Sequence, residues 1–244
     1  MQFWGRVLLT FGCLVTCSGS IHAEKLTLSG QVVDEDGQPV VGVEFSRYWL
    51  KEKTRWKPNE SFTTDPAGRF VFKANYEGRP QSWLAMDPSQ TRGVLLILRT
   101  NRFEAPLRLR LGPLVTLRGE LRCTELGRPP RWGSAYLSLP PDQRNLVQDY
   151  SDPPRFELKV PAGRYELNAY GSSEVDSVRR EILVTARDPV MDLGPIDLAA
   201  TPIGRHRGKA PPPWHVTAAQ GAPRDVQPND YLGRWLLVEY WGYW

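Results

Sequence analysis

Residues whose type and spacing could do chemistry are few in this chain. Of three cysteines, Cys13 and Cys17 sit in an apolar leader, and Cys123 stands alone in the alternating run "VTLRGELRC". A thiol with no thiol or histidine nearby in sequence lacks the partner that makes a thiolate, so Cys123 is expected to be a small buried or half-buried residue that reacts slowly. The histidines His22, His206 and His215 show no "HExxH" or other zinc spacing. Nothing in the sequence supports a Ser-His-Asp arrangement. "DEDG" at Asp34 to Gly37 begins like a calcium loop but lacks the third acidic position and the distal glutamate, so it reads as a turn joining strands. "GRHRGK" at Gly204 to Lys209 has a Gly-Lys pair without the Ser or Thr of a phosphate loop. It could attract phosphate or anionic lipid, or it is a solvated linker, the reading favoured here. No catalytic, cofactor-binding or metal-ligating residue is assigned, and no cofactor is expected.

Recognition is the remaining chemistry. Tyr48, Trp49, Trp56, Trp83 and Trp132 could form a sugar or peptide platform, although aromatics on strands more often fill cores and rims. Residues 1–23 carry one cation, Arg6, an apolar stretch from Val7 to Cys17 and small or neutral residues up to Ala23, the pattern of a cleavable export signal. The apolar part is short for a permanent anchor. Lipidation at Cys17 in "LVTC" is the alternative, disfavoured by Thr16 just before it. Removing Arg6 takes the 31 basic residues to 30 against 27 acidic ones, so no basic stripe remains and nucleic acid is excluded as a partner. The expected protein is exported to the periplasm or cell envelope without stable membrane insertion. Its expected partners are envelope proteins or glycans. One cysteine outside the leader allows no internal disulfide.

An internal repeat must position whatever these residues do. "LTLSGQVVDEDGQPVVGVEFSRY" at Leu26 to Tyr48 is echoed by "VTLRGELRCTELGRPPRWGSAYLSL" at Val115 to Leu139. In each, a strand containing Gly30 or Gly119 leads to a turn with Gly37 or Gly127 and then to Pro39 or Pro129. "TTDPAGRFVFKA" likewise matches "YSDPPRFELKVPAG", where Asp65-Pro66 and Asp152-Pro153 start a turn before an Arg-Phe pair. Phe70 and Phe72 alternate in one strand, and Phe156, Leu158 and Val160 in the other, which gives each a single apolar face. About seven short strands per copy, without helical periodicity, predict an all-β chain of two tandem β-sandwich modules, 24–112 and 113–199. These residues resemble the carboxypeptidase regulatory-like, or transthyretin-like, sandwich, an accessory module that implies no peptidase activity.

A Pro-rich linker, 200–213, separates the sandwiches from 214–244. Gly208 to Pro211 of the linker, with Leu232 to Arg234 and "WLLVEYWGYW" beyond it, resemble the start of a thioredoxin-like domain of the thiol-disulfide oxidoreductase and peroxiredoxin-related group. The resemblance implies an incomplete α/β piece: a short strand at Trp214, a polar segment, and a strand from Trp235 to Tyr240. It places Trp244 just before the first active cysteine. The leading expectation is an exported oxidoreductase that is redox-inactive as written. Beyond Trp244 a recoded UGA for selenocysteine, a lost cysteine codon, a frameshift or a fragment end would explain the break. The alternative is a non-enzymatic envelope binding or scaffold protein.

Overall fold

The computed structural model describes residues 24–100, 105–140, 144–150, 155–210, 213–218, 220–235 and 237. The export leader, the Asp152-Pro153 turn and the expected strand from Trp235 to Tyr240, apart from Trp235 and Leu237, lie outside the described residues. The architecture is all-β. In chain order the first strands are β1 (Glu24–Val33), β2 (Glu44–Ser46), β3 (Trp49–Glu52), β4 (Arg55–Pro58), β5 (Phe62–Thr63), β6 (Arg69–Tyr76), β7 (Gln81–Met86), β8 (Arg92–Leu98) and β9 (Leu107–Arg110). They are followed by β10 (Gly112–Arg122), β11 (Gly133–Ser138), β12 (Asn145–Asp149), β13 (Arg155–Pro161), β14 (Gly163–Gly171), β15 (Val178–Val184) and β16 (Val190–Asp197). A single helical turn, α1 (Pro202–His206), comes next.

One pairing scheme occurs twice. β1 is flanked by antiparallel β6 and parallel β9, as β10 is by β13 and β16. Against each trio lies a meander, β8-β7-β2-β5 in the first set and β15-β14-β11-β12 in the second. The repeated glycines face a ring in both copies, and at Gly30 the Leu107 carbonyl oxygen is closer still, 2.1 Å from where a Cβ would stand. Gly30 pairs with Phe70 and Gly119 with Phe156, and a Cβ at either glycine would stand 2.8 or 2.4 Å from the opposing ring. The ring therefore lies across the strand where a side chain would have been. At Asp65 the expected turn forms, its carboxylate accepting from the amides of Ala67 and Arg69 at 2.9 and 2.8 Å. Asp34 does the same for Asp36 and Gln38, so its carboxylate is engaged in a turn.

Alternation accounts for the first core. Leu26, Leu28 and Val32 of β1 meet Phe70 and Phe72 of β6, with Phe45, Trp83 and Leu96 from the facing sheet. Strand β7 breaks the alternation because all six of its residues are buried. Trp83 and Ala85 face the first core, and Leu84 and Met86 enter the second. The two sandwiches thus share a packed layer.

They also share strands. The β3-β4 hairpin belongs by sequence to the first set, yet β3 pairs in parallel with β12 of the second, Trp49 opposite Val147. Trp49 and Trp56 are buried in the second core with Leu117, Leu137 and Leu158. The Trp49 indole donates to the Leu84 carbonyl at 2.9 Å, and the Gln90 side chain bonds both the amide and the carbonyl of Trp56. Lys51 reaches Asp149 at 3.3 Å and Glu157 at 4.0 Å. Burying two indoles contributes roughly 2–3 kcal/mol each.

After the sandwiches two expectations need correction. The stretch around Gly204 is docked, because α1 is capped by Thr201 and seats Gly204 where a Cβ would stand 2.1 Å from the Glu174 carbonyl. The short strand expected at Trp214 is not formed. Trp214 gives its amide to the Gln227 side chain at 3.0 Å and its carbonyl accepts from Gln227 Nε2 at 3.2 Å, so a side chain takes the place of a strand partner. Among the described residues beyond Pro213 the regular structure is one 3-10 turn, Pro228–Tyr231. No thioredoxin-like α/β element is evident there, and Leu232, Trp235 and Leu237 are exposed.

Candidate binding face

The second meander turns its inner residues to the core and its outer residues to solvent. Along β14, Tyr165, Leu167 and Ala169 point inward, leaving Glu166, Asn168 and Tyr170 on the other side. β11 pairs Tyr136 with Asn168 and Ser134 with Tyr170, and β12 pairs Gln148 with Tyr136. The outer face is therefore built from tyrosines, amides and hydroxyls.

Gln148 is its hub and is almost fully buried. Its Oε1 accepts from the Tyr48 hydroxyl at 2.8 Å and from Asn145 Nδ2 at 2.8 Å. Its Nε2 donates to the Tyr170 hydroxyl and to Ser134 Oγ, both at 2.9 Å. Ser134 in turn donates to the Asp149 carbonyl. Tyr150 lies beside Tyr170 and Tyr48. A buried amide satisfied on both sides fixes the rings that converge on it.

The ring contacts extend outward. Tyr170 meets Trp132 and Tyr136 edge to face, with centroids 5.9 and 6.1 Å apart, a favourable arrangement for aromatic quadrupoles. Trp132 is 51% exposed and Tyr150 56%, unusual for large aromatics in so ordered a cluster. Burial, followed by the neighbouring Tyr150 and Tyr170, pushes the Tyr48 hydroxyl up to about 12. The Tyr170 hydrogen bond and then burial raise Tyr150, and burial raises Tyr136. These hydroxyls stay protonated at neutral pH, so they remain able to donate as well as accept. Arg179 pairs with Glu166 beside them.

Tyr48 and Asn145 also line a groove of about 560 Å³ whose other wall comes from the first set, including Phe62, Lys73, Gln81 and Trp83. There the Arg47 guanidinium lies 5.5 Å from the Trp83 ring centre, within cation–π range. The Tyr48 side chain thus belongs both to this groove and to the Gln148 network.

Of the aromatics singled out by sequence, Trp49, Trp56 and Trp83 are buried, Tyr48 is half-buried in the Gln148 network, and Trp132 is exposed at its rim. Sequence reasoning missed Gln148, Tyr150, Tyr136 and Tyr170. Alternation in "RYELNAY" could have placed Tyr170 outward, but no local signal marks Gln148. Cys123 is buried at the end of β10. His206 lies on α1 and His215 beyond it, and no group of three potential metal ligands occurs among the described residues. Among those residues, no helix is long and apolar enough to cross a membrane.

No protein-family model matches the chain, and no curated protein matches it. Among solved structures it is similar to the TIE protein of Bacillus anthracis, at 9% identity over 72% of this chain and 34% of that one, with a TM-score of 0.31. A streptococcal ancillary pilin gives 12% identity, 73% and 63% coverage and a TM-score of 0.32. A shaft pilin of Lactobacillus rhamnosus GG gives 10% identity, 73% and 99% coverage and 0.29. The chain spans about a third and under two thirds of the length of the first two. The β-sandwich assignment rests on the strand pairing, not on these likenesses.

Proposed function

We propose that this is an exported, non-enzymatic binding or scaffold protein of the cell envelope. In this reading residues 1–23 direct export, two carboxypeptidase regulatory-like sandwiches span 24–112 and 113–199, and the surface around Gln148 binds a glycan. The observation that carries it is the cluster in which Tyr48 and Tyr170 bond one buried amide, with Tyr150 beside them, while Trp132 and Tyr150 stay half exposed. Sugar rings present apolar C–H faces edged by hydroxyls. Fixed aromatic rings match the faces, and tyrosine and amide groups match the hydroxyls. The broad, shallow form suits a chain lying across a surface better than a small enclosed substrate. A redox role would require a following thioredoxin-like domain and rests on the sequence resemblance of 214–244 alone.

The test is a glycan array probed with the protein, followed by titration of each hit against Trp132→Ala and Tyr150→Ala. The expected result is saturable binding that each substitution weakens about tenfold, roughly 1.4 kcal/mol. Absence of any glycan hit, or hits indifferent to both substitutions, would remove the assignment.

A further inference from the structure

A second polar cluster lies on the neighbouring loops, and the aromatic face makes no use of it. The Glu174 side chain is completely buried, yet it meets three guanidinium groups. Arg128 Nη2 is 2.8 Å from Oε2, and on Oε1 Arg207 Nη1 stands at 2.9 Å and Arg131 Nε at 3.4 Å. The hydrogen bond from Arg128, reinforced by the charges of all three arginines, holds the Glu174 carboxyl below its ordinary range. Arg205 pairs with Glu125 at 2.8 Å beside them. The four arginines, Glu125 and Lys209 line a recess of about 600 Å³, and the buried Glu174 lies outside its lining.

The recess is lined mostly by cations. Five cations, Arg128, Arg131, Arg205, Arg207 and Lys209, line the recess, against the carboxylates Glu125 and Glu174 that pair with them and Asp176 and Asp197 nearby, so cations outnumber carboxylates. The side chains of Arg128, Arg131 and Arg207 remain 42, 56 and 46% exposed. Each guanidinium has five N–H donors and spends few of them on Glu174. Lys209 has no carboxylate partner among the described residues. One buried carboxylate thus fixes three guanidinium groups that all line the same recess.

We propose that this recess binds an oxyanion, with a phosphate group as its ligand chemistry. Phosphate carries close to two negative charges and three or more acceptor oxygens, which suits several planar forks better than a single carboxylate would. The site lies in the chain stretches 125–131 and 204–209, so it draws on different side chains from the Gln148 network. It stands whether or not that network binds glycans.

Inorganic phosphate and pyrophosphate are the probes, titrated calorimetrically into the full chain at low and at physiological salt. Binding should weaken as salt rises. The double substitution Arg131→Gln with Lys209→Gln, both at exposed side chains, should weaken pyrophosphate about tenfold with unchanged circular dichroism, each exposed charge being worth a few-fold. Trp132→Ala should leave binding unchanged. A second arm uses phosphatidylglycerol vesicles. Co-sedimentation that pyrophosphate reverses would identify a lipid headgroup as the phosphate source, whereas pyrophosphate binding without co-sedimentation would identify a soluble or polymer-borne phosphate. No binding of either probe by the folded wild type, or equal binding by the double variant, overturns the proposal.

Discussion

Replacing Trp49 by alanine should damage the sandwich to which that residue does not belong by sequence. The side chain is fully buried in the second core, and its indole donates to the Leu84 carbonyl at 2.9 Å. Truncating a buried tryptophan costs about 3–5 kcal/mol through lost transfer energy and an unfilled cavity. Losing the hydrogen bond adds about 1 kcal/mol. Against a total stability on the order of 5–15 kcal/mol this is a large fraction. For a chain of this size it lowers Tm by roughly 10–15 °C. Trp49→Phe, which keeps much of the apolar volume but cannot donate, should cost about half as much. The assay is urea unfolding followed by fluorescence and circular dichroism, combined with amide hydrogen exchange. β3 lies beside Val147 to Asp149 of β12, so those amides should lose protection in Trp49→Ala. If the substitution costs under about 1 kcal/mol, or β12 keeps its protection while only β1 to β9 loosen, the hairpin is not what couples the sandwiches and the reasoning fails.

Two further outcomes follow from local geometry. Gly30→Ala would put a Cβ 2.1 Å from the Leu107 carbonyl oxygen, a backbone atom, whereas Gly119→Ala meets mainly the Phe156 ring at 2.4 Å. Chemical denaturation should therefore find the first substitution costing about 3 kcal/mol or more and the second about 1–2, since a ring can swing away and a strand cannot; equal costs would contradict this. Burial tends to raise the Asp87 carboxyl, but hydrogen bonds from Ser89, Arg92 and Thr91 outweigh it and hold the group below its ordinary 3.8. A depressed carboxylate contributes stability that is present above its unfolded value and lost as pH falls through the lower folded value. Asp87→Asn should accordingly lower Tm by several degrees at pH 7, with the gap to wild type closing as pH drops below about 4. A gap that widens in acid would reverse the assignment.

The legible part of this fold is the part whose cause is local. Gly30 with Phe70 and Gly119 with Phe156 repeat because a ring needs an empty position opposite it, and that pattern survives in the sequence. The Asp65 turn is readable for the same reason, its carboxylate bonding amides two and four residues on. By contrast, "YWLKEKTRWKP" gives no hint that its hairpin leaves the sheet of its own repeat. Its aromatics announce burial and do not say in which core. "QSWLAM" defeats alternation because both its faces are covered, Trp83 by one core and Leu84 by the other. The Gln148 network joins residues 100 positions apart, and Glu174 collects arginines 46 residues before it and 33 after it, distances at which sequence spacing carries no information.

That division has a functional consequence. The elements sequence could not place, the donated hairpin and β7, are the ones that hold the two sandwiches together and bring Tyr48 to Gln148. Tyr48 lies just ahead of β3, so its hydroxyl reaches β12 only because Trp49 and Trp56 anchor the hairpin in the second core. The proposed binding face is then not a property of either repeat alone. A free copy of the second repeat would keep Gln148 but lose Tyr48 and the neighbouring strand, leaving the amide oxygen with Asn145 as its partner. Interlocking joins the two repeats so that Tyr48 of the first and Tyr170 of the second are held by one buried amide, and a ligand of the proposed face would not need to order them on binding.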